Sequence, residues 1–348
     1  MRVYAEDWFG GNMRIRVGVI GGGSWGTTVA HLAAYNVPSM LWARRPETAD
    51  EINEVHQNRR YLDGYDLHPD LRATADLGEC VRQADVLVMG VPSHAYRQTL
   101  EQVSDHLRAW VPIVSLTKGL ESGSRLRMSQ VANEVVPGHP FAVLTGPNLA
   151  KEILVGDAAA SVIATHDPDV AGRLQDVFNT EMFRVYTNPD VAGCEVAGAL
   201  KNVIAIASGM ADGLGTGDNT RAAVITRGLT ELSRLGAAMG GNELTFAGLA
   251  GMGDLIATCI SPQSRNRHVG EQLGQGRSID EVIAAMNMVA EGVKTAPVVV
   301  ELAEEFGIDM PISTEVHGVC HLGRSAEEAY AGLLRRGTGV ENESVGFD

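Results

Sequence analysis

No uninterrupted apolar run in the chain approaches the roughly 18–20 residues of a membrane-crossing helix, so no membrane insertion is expected. Cysteine is scarce. Cys80, Cys194, Cys259 and Cys320 stand far apart, at no metal-ligand spacing. A chain of 348 residues can bury its own core and needs no disulfide staples. Reduced thiols, a cytoplasmic location and no metal follow as expectations. Positive charge is also short, with 28 Lys and Arg against 43 Asp and Glu and a net charge of −15. General affinity for nucleic acid is thereby excluded, because it needs clustered cations to displace counterions. A local cationic pocket for a small phosphorylated ligand is not. Residues 1–13 lack an apolar signal core and carry Glu6 and Asp7. They read as a flexible extension, with Met13 as a second candidate start.

Glycine is abundant, at 40 residues, above the usual share of about 7%. Its short runs point to tight turns and close backbone approach to ligands. The length suggests two domains. In the first half, short β-branched runs alternate with helical patterns. Strands are expected at 16–20, 39–43, 85–91, 113–117, 141–144 and 161–164, the last taken as the final full strand. Continuous apolar runs of this kind fit a parallel sheet buried on both faces. From about Glu195 the pattern turns helical. One long helix is expected over 195–212, and another from Asn219 to Met239. A third, capped by Ser261 with Pro262 at its first position, would end at Gly274. Ser278 to Glu281 spells a capping box, and a further helix over 295–306 stops at Gly307. The fold class is therefore α/β: an N-terminal Rossmann-type dinucleotide-binding domain over 14–193, mostly parallel in its sheet, then an all-α domain over 194–336. Tails at 1–13 and 337–348 complete the chain.

Gly21-Gly22-Gly23-Ser24-Trp25-Gly26 matches G-x-G-x-x-G, following a strand and opening a helix. In that context Gly21 allows the tight turn, Gly23 the approach of a pyrophosphate, and Gly26 the close packing of helix on strand. The second strand ends in Ala43-Arg44-Arg45, with Glu47 the nearest acid. An NAD site usually has an acid there for the ribose 2′-hydroxyl. Two cations suit a 2′-phosphate better, so NADP(H) is favoured and NAD(H) is the alternative. Arg44 and Arg45 could also be ordinary solvated loop residues.

In the second half Lys201 lies mid-helix with Gly198, Ala205 and Ser208 along its face. It either reaches solvent along its stem or faces a cleft, and spacing does not decide which. Asp254 and Thr258 share a face if their stretch is helical. Ser264, Arg265 and Asn266 fall in the first turn of the helix begun by Ser261. A helix N-terminus with a guanidinium and an amide suits a phosphate, although plain capping is the competing reading.

These segments together resemble the NAD(P)-dependent glycerol-3-phosphate dehydrogenases, from about residue 16 to 325. The resemblance rests on the glycine loop, Asn58–Leu62 (NRRYL), Val91-Pro92-Ser93, Thr117–Leu120 (TKGL), Gly146–Glu152 (GPNLAKE), Ala199–Val203 (ALKNV), Thr226–Leu229 (TRGL), Gly248–Asp254 (GLAGMGD), Gln263–Arg267 (QSRNR) and Glu291–Val293 (EGV). It implies reduction of dihydroxyacetone phosphate to sn-glycerol 3-phosphate, the backbone for phospholipid synthesis. Lys201 matches the lysine that exchanges a proton with the substrate. Lys118 matches one that binds substrate and cofactor. Asp254, Asn202 and Thr258 match polar partners in the active site. Gly146, Asn148, Ser264, Arg265 and Asn266 match substrate contacts. Ser24, Trp25, Arg44, Arg45, Ala150, Arg265, Val289 and Glu291 match cofactor contacts. Two departures stand out: GPNLA puts Asn148 where a hydroxyl is usual, and GGGS replaces the commoner GAGS. The implied partner is a small triose phosphate, with a homodimer left open. A 3-hydroxy-acid or ketopantoate dehydrogenase would share the plan but lack QSRNR. A cofactor-sensing protein without catalysis would tolerate loss of Lys201 or Lys118.

Overall fold

The computed structural model describes residues 15–286 and 290–335. The tails and Val289 lie outside the described residues. The chain divides into two compact units. One runs through Glu121 and resumes at Leu126–Glu195; the other comprises Ser122–Arg125 and the chain from Val196 onward.

Among the described residues the first unit has eight strands: β1 (Val17–Ile20), β2 (Ser39–Trp42), β3 (Arg72–Thr74), β4 (Val86–Met89), β5 (Ile113–Ser115), β6 (Phe141–Thr145), β7 (Ala159–Ala164) and β8 (Phe183–Asn188). They lie in the order β3-β2-β1-β4-β5-β6-β7-β8. All neighbours pair parallel except β6 with β7. Side chains alternate across the sheet, so each apolar run feeds two cores. Val17, Val19, Val86 and Val88 face one cluster with Val29 and Leu41. Ile20, Leu87 and Met89 face another with Tyr96 and Leu100. Each such side chain contributes about 1.5–3 kcal/mol on burial.

Two strands escape the apolar-run reading. β3 has three residues, of which only Ala73 is buried. β8 alternates buried Phe183 and Val185 with exposed neighbours, so it has no continuous run to notice. It follows the strand expected to be last.

The second unit is helical. Its long helix, Val191–Gly213, begins in the first unit and is followed by Asp218–Ala238, Glu243–Phe246, a π-turn at Leu249–Gly253, Asp254–Ile260 and Arg265–Gly274. Ile279–Ala284, Glu291–Phe306, Pro311–His321 and Ala326–Leu334 follow among the described residues. By length and composition Val191–Gly213 could cross a membrane, but 94% of its apolar window is buried inside the protein. The segment Glu243–Ile260 passes the same test with 44% buried. The capping box at Ser278 forms as expected, and Gly307 ends its helix in the left-handed region, φ 65°. The cap at Ser261 does not form. Ser264 is the N-cap instead, its hydroxyl accepting from the Arg267 amide at 3.2 Å. Ser261 and Pro262 make the preceding turn.

Candidate active site

The first unit carries its candidate residues just beyond the carboxyl ends of β1, β2, β5 and β6, which lie on the same side because these strands and β4 are parallel. Gly21 leaves β1 at φ 124°, a conformation that disfavours any side chain. A methyl on Gly26 would strike the Gly21 carbonyl, so the first and third glycines bring helix Ser24–Ala34 against the strand. Gly23 differs: nothing among the described residues lies within 4 Å of where its Cβ would be. That open side, beside a helix N-terminus, fits a pyrophosphate. Trp25 lies 6.5 Å from the Phe183 ring, with its indole N–H buried and without a partner among the described residues. Ala43 abuts Gly22, at 3.1 Å from an added methyl. The next two residues, Arg44 and Arg45, are exposed at the end of β2. The charge there is positive and accessible, as a 2′-phosphate would require.

Lys118 follows β5, and its Nζ donates to the Gly146 carbonyl at 3.0 Å. Gly146 follows β6 at φ 140°. Asn148 spends both ends of its amide on β7: Nδ2 donates to the Ala160 carbonyl at 3.2 Å, and Oδ1 accepts from Ser161 at 3.0 Å. Its visible work is to fix the loop. Ala150 opens the helix Ala150–Leu154.

In the second unit the ambiguity at Lys201 resolves towards burial. The residue is 5% exposed. Its ammonium donates to Asp254 at 2.5 Å and to the Thr258 hydroxyl at 2.8 Å. Asp254 is itself 2% exposed. Thr258 donates its own hydroxyl hydrogen bond to the Asp254 backbone carbonyl at 2.6 Å, so Asp254 and Thr258 do share a helical face. A buried charge needs a partner and hydrogen bonds, and this one has both.

Asn202 and Asn266 form the next layer. Asn266 Nδ2 donates to Asn202 Oδ1 at 2.9 Å, and Asn266 Oδ1 accepts from the Gly292 amide at 3.0 Å. This chain of bonds joins the immediate neighbours of Lys201, Arg265 and Glu291. The helices holding the first two run parallel and almost in backbone contact. A methyl at Gly270 would strike the Ile206 carbonyl, and one at Gly209 the Arg267 carbonyl. Glycine thus sets how closely the two helices approach. Arg265 keeps solvent access, yet the protein around it lowers its guanidinium pKa, an effect the Glu291 carboxylate opposes. Arg267 turns instead to Asp212, at 2.7 Å, which Arg221 also holds at 2.6 Å. Sequence spacing could not single out Asp212, whose partners lie 9 and 55 residues away.

Two family models match the chain. The N-terminal part of NAD-dependent glycerol-3-phosphate dehydrogenase covers residues 16–171 and its C-terminal part residues 190–331. The chain belongs to the NAD-dependent glycerol-3-phosphate dehydrogenase family. A glycerol-3-phosphate dehydrogenase [NAD(P)+] of Sphingopyxis alaskensis is 59% identical over 94% of this chain and 99% of its own length. One from Mycobacterium avium is 57% identical over 95% and 98%. Among solved structures, glycerol-3-phosphate dehydrogenase from Coxiella burnetii superposes with a TM-score of 0.88 at 36% identity, covering 93% of this chain and 99% of that one. A ketopantoate reductase from Ralstonia eutropha, at 16% identity and a TM-score of 0.58, shares the fold alone.

Proposed function

We propose that the protein catalyses the reversible, NAD(P)H-dependent reduction of dihydroxyacetone phosphate to sn-glycerol 3-phosphate. The observation that carries this, beyond family membership, is the buried Lys201–Asp254–Thr258 triad, joined through Asn202 and Asn266 to the helix start that bears Arg265.

The chemistry needs a hydride at C2 and a proton on its oxygen. Bound NAD(P)H supplies the hydride. Arg265 and the amides at the start of its helix hold the phosphate, a doubly charged anion matched to a guanidinium and a positive helix end. Fixing that remote group orients the carbonyl. Lys201 donates its proton to the developing alkoxide. Asp254 and Thr258 hold the ammonium in place, and the Asp254 carboxylate balances its charge between turnovers. Lys118, tethered at Gly146, is assigned a second contact to substrate and cofactor, and Gly146 and Asn148 shape that loop. Gly21, Gly23, Ser24, Trp25 and Gly26 would hold the dinucleotide, with Ala150 and Glu291 further contacts. Arg44 and Arg45 favour NADP(H).

This reading divides the work between a dinucleotide-binding part over 14–193 and a catalytic part over 194–336. It places the enzyme in the cytoplasm, as a homodimer that supplies phospholipid synthesis. Comparing NADPH oxidation with dihydroxyacetone phosphate, unphosphorylated dihydroxyacetone and ketopantoate tests the assignment. The phosphorylated triose should react fastest by orders of magnitude, and preference for ketopantoate would overturn it.

A further inference from the structure

The turn Asn58–Leu62 is assigned no role by the reaction above, yet it is bonded at three points to the glycine loop and the helix that the loop opens. Asn58 is fully buried, at 0% exposure. Its Nδ2 donates to the Gly22 carbonyl at 3.0 Å and to the Thr27 hydroxyl at 2.9 Å. Ser24 Oγ donates to the Tyr61 carbonyl at 3.3 Å. Gly22, Ser24 and Thr27 bracket the stretch whose open face at Gly23 fits the pyrophosphate.

The turn is itself rigidly held. The Asn58 carbonyl accepts from the Tyr61 and Leu62 amides at 3.1 and 2.8 Å. Leu62 is sealed in the core, and the Arg59 amide donates to Glu51 at 3.1 Å. Buried polar groups normally bond at every atom. Asn58 Oδ1 is instead buried without a partner among the described residues, so the side chain bonds through its Nδ2.

We propose that Asn58 is a positioning residue for the cofactor: it pins the glycine loop in the shape that receives the pyrophosphate. Its Nδ2 turns the Gly22 carbonyl towards the turn and away from an incoming anion. It also fixes the first turn of helix Ser24–Ala34 through Thr27. A glycine-rich loop is intrinsically floppy. Ordering it before the cofactor arrives lowers the cost of binding. The inference rests on the reading that Gly21–Gly26 holds the dinucleotide.

The test is calorimetric titration of Asn58→Ala with ADP-ribose, NADH and NADPH, alongside steady-state kinetics. The Kd for all three should rise together by about 10-fold or more, the scale of losing one or two hydrogen bonds. At saturating cofactor, kcat and the KM for dihydroxyacetone phosphate should stay within about twofold of the parent. A merely structural residue would lower thermal stability and leave that split unseen. Should alanine fail to fold, Asn58→Leu keeps the volume and removes the donor, and the same shifts are expected. Unchanged Kd values in a folded variant would overturn the proposal, as would a collapse of kcat with Kd unchanged. Gly23→Val separates the two levels. If it abolishes ADP-ribose binding while Asn58→Ala does not weaken it, only the role of Asn58 falls. If Gly23→Val binds normally, the loop is not the dinucleotide site and both readings fall.

Discussion

Replacing Lys201 with alanine should damage chemistry and stability by separable routes. The lysine is the proton donor in the proposed reaction, and a positioned general acid is worth roughly 10²–10⁴-fold in rate. It is also the charge partner of Asp254, and both side chains are almost wholly buried, at 6% and 2% exposure. Leaving a buried carboxylate without its cation costs about 3–5 kcal/mol. A unit of roughly 150–250 residues loses about 2–4 °C of Tm per kcal/mol. The single variant should therefore melt on the order of 10 °C early. The Lys201→Ala/Asp254→Ala double variant removes both charges and should recover most of that loss without recovering turnover. Differential scanning calorimetry reads the first effect and NADPH oxidation with dihydroxyacetone phosphate the second. Cofactor titration should find affinity nearly intact in both. Near-normal kcat in folded Lys201→Ala, or turnover restored in the double variant, would refute the reasoning.

Three further outcomes are expected. Arg44→Ala/Arg45→Ala should raise the KM for NADPH by about 10- to 100-fold, the scale of lost charge-assisted bonds, and leave that for NADH nearly unchanged; equal losses for both would remove the 2′-phosphate role. Glu231 sits at 4% exposure against the start of helix Pro311–His321, bonded by the Ile312 and Ser313 amides. Burial pushes its carboxyl up to about 7, against the pull of those hydrogen bonds. Between its ordinary value of 4.5 and 7 the folded protein binds the proton more tightly than the unfolded chain. Stability should therefore fall as pH rises through that window, by up to roughly 3 kcal/mol. Urea melts should show a flatter pH profile for Glu231→Gln, and an identical slope would contradict the assignment. All four cysteines are buried, and burial pushes Cys80, Cys259 and Cys320 up to about 12. A thiol-specific disulfide reagent should label none of them in the native protein and all four on unfolding; rapid native labelling would show that one is accessible.

The glycine loop was legible because its chemistry is local: strand, glycines and helix start follow one another within ten residues. The strands made of continuous apolar runs and the long helices were legible for the same reason, since both patterns are short-range signals. What sequence left open depended on distant partners. Lys201 could not be placed until Asp254, 53 residues on, was seen to receive its ammonium. The misplaced cap shows a different limit. Ser261 and Ser264 both suit an N-cap, and the turn between them decides which one starts the helix. β8 escaped because its pattern is half polar, and Asn58 because nothing in NRRYL announces a fully buried amide bonded 31 and 36 residues upstream.

The sharpest test of the account is the ratio of kcat/KM for dihydroxyacetone phosphate to that for dihydroxyacetone, measured in the parent enzyme and in Arg265→Ala. If the guanidinium grips the phosphate while Lys201 serves the carbonyl of the same molecule, the parent ratio should be large. It should then collapse by about 10²-fold or more in the variant, the loss of a charge-assisted anion contact, with dihydroxyacetone reduced nearly as before. A ratio that survives the substitution would place the phosphate elsewhere and contradict the site as drawn.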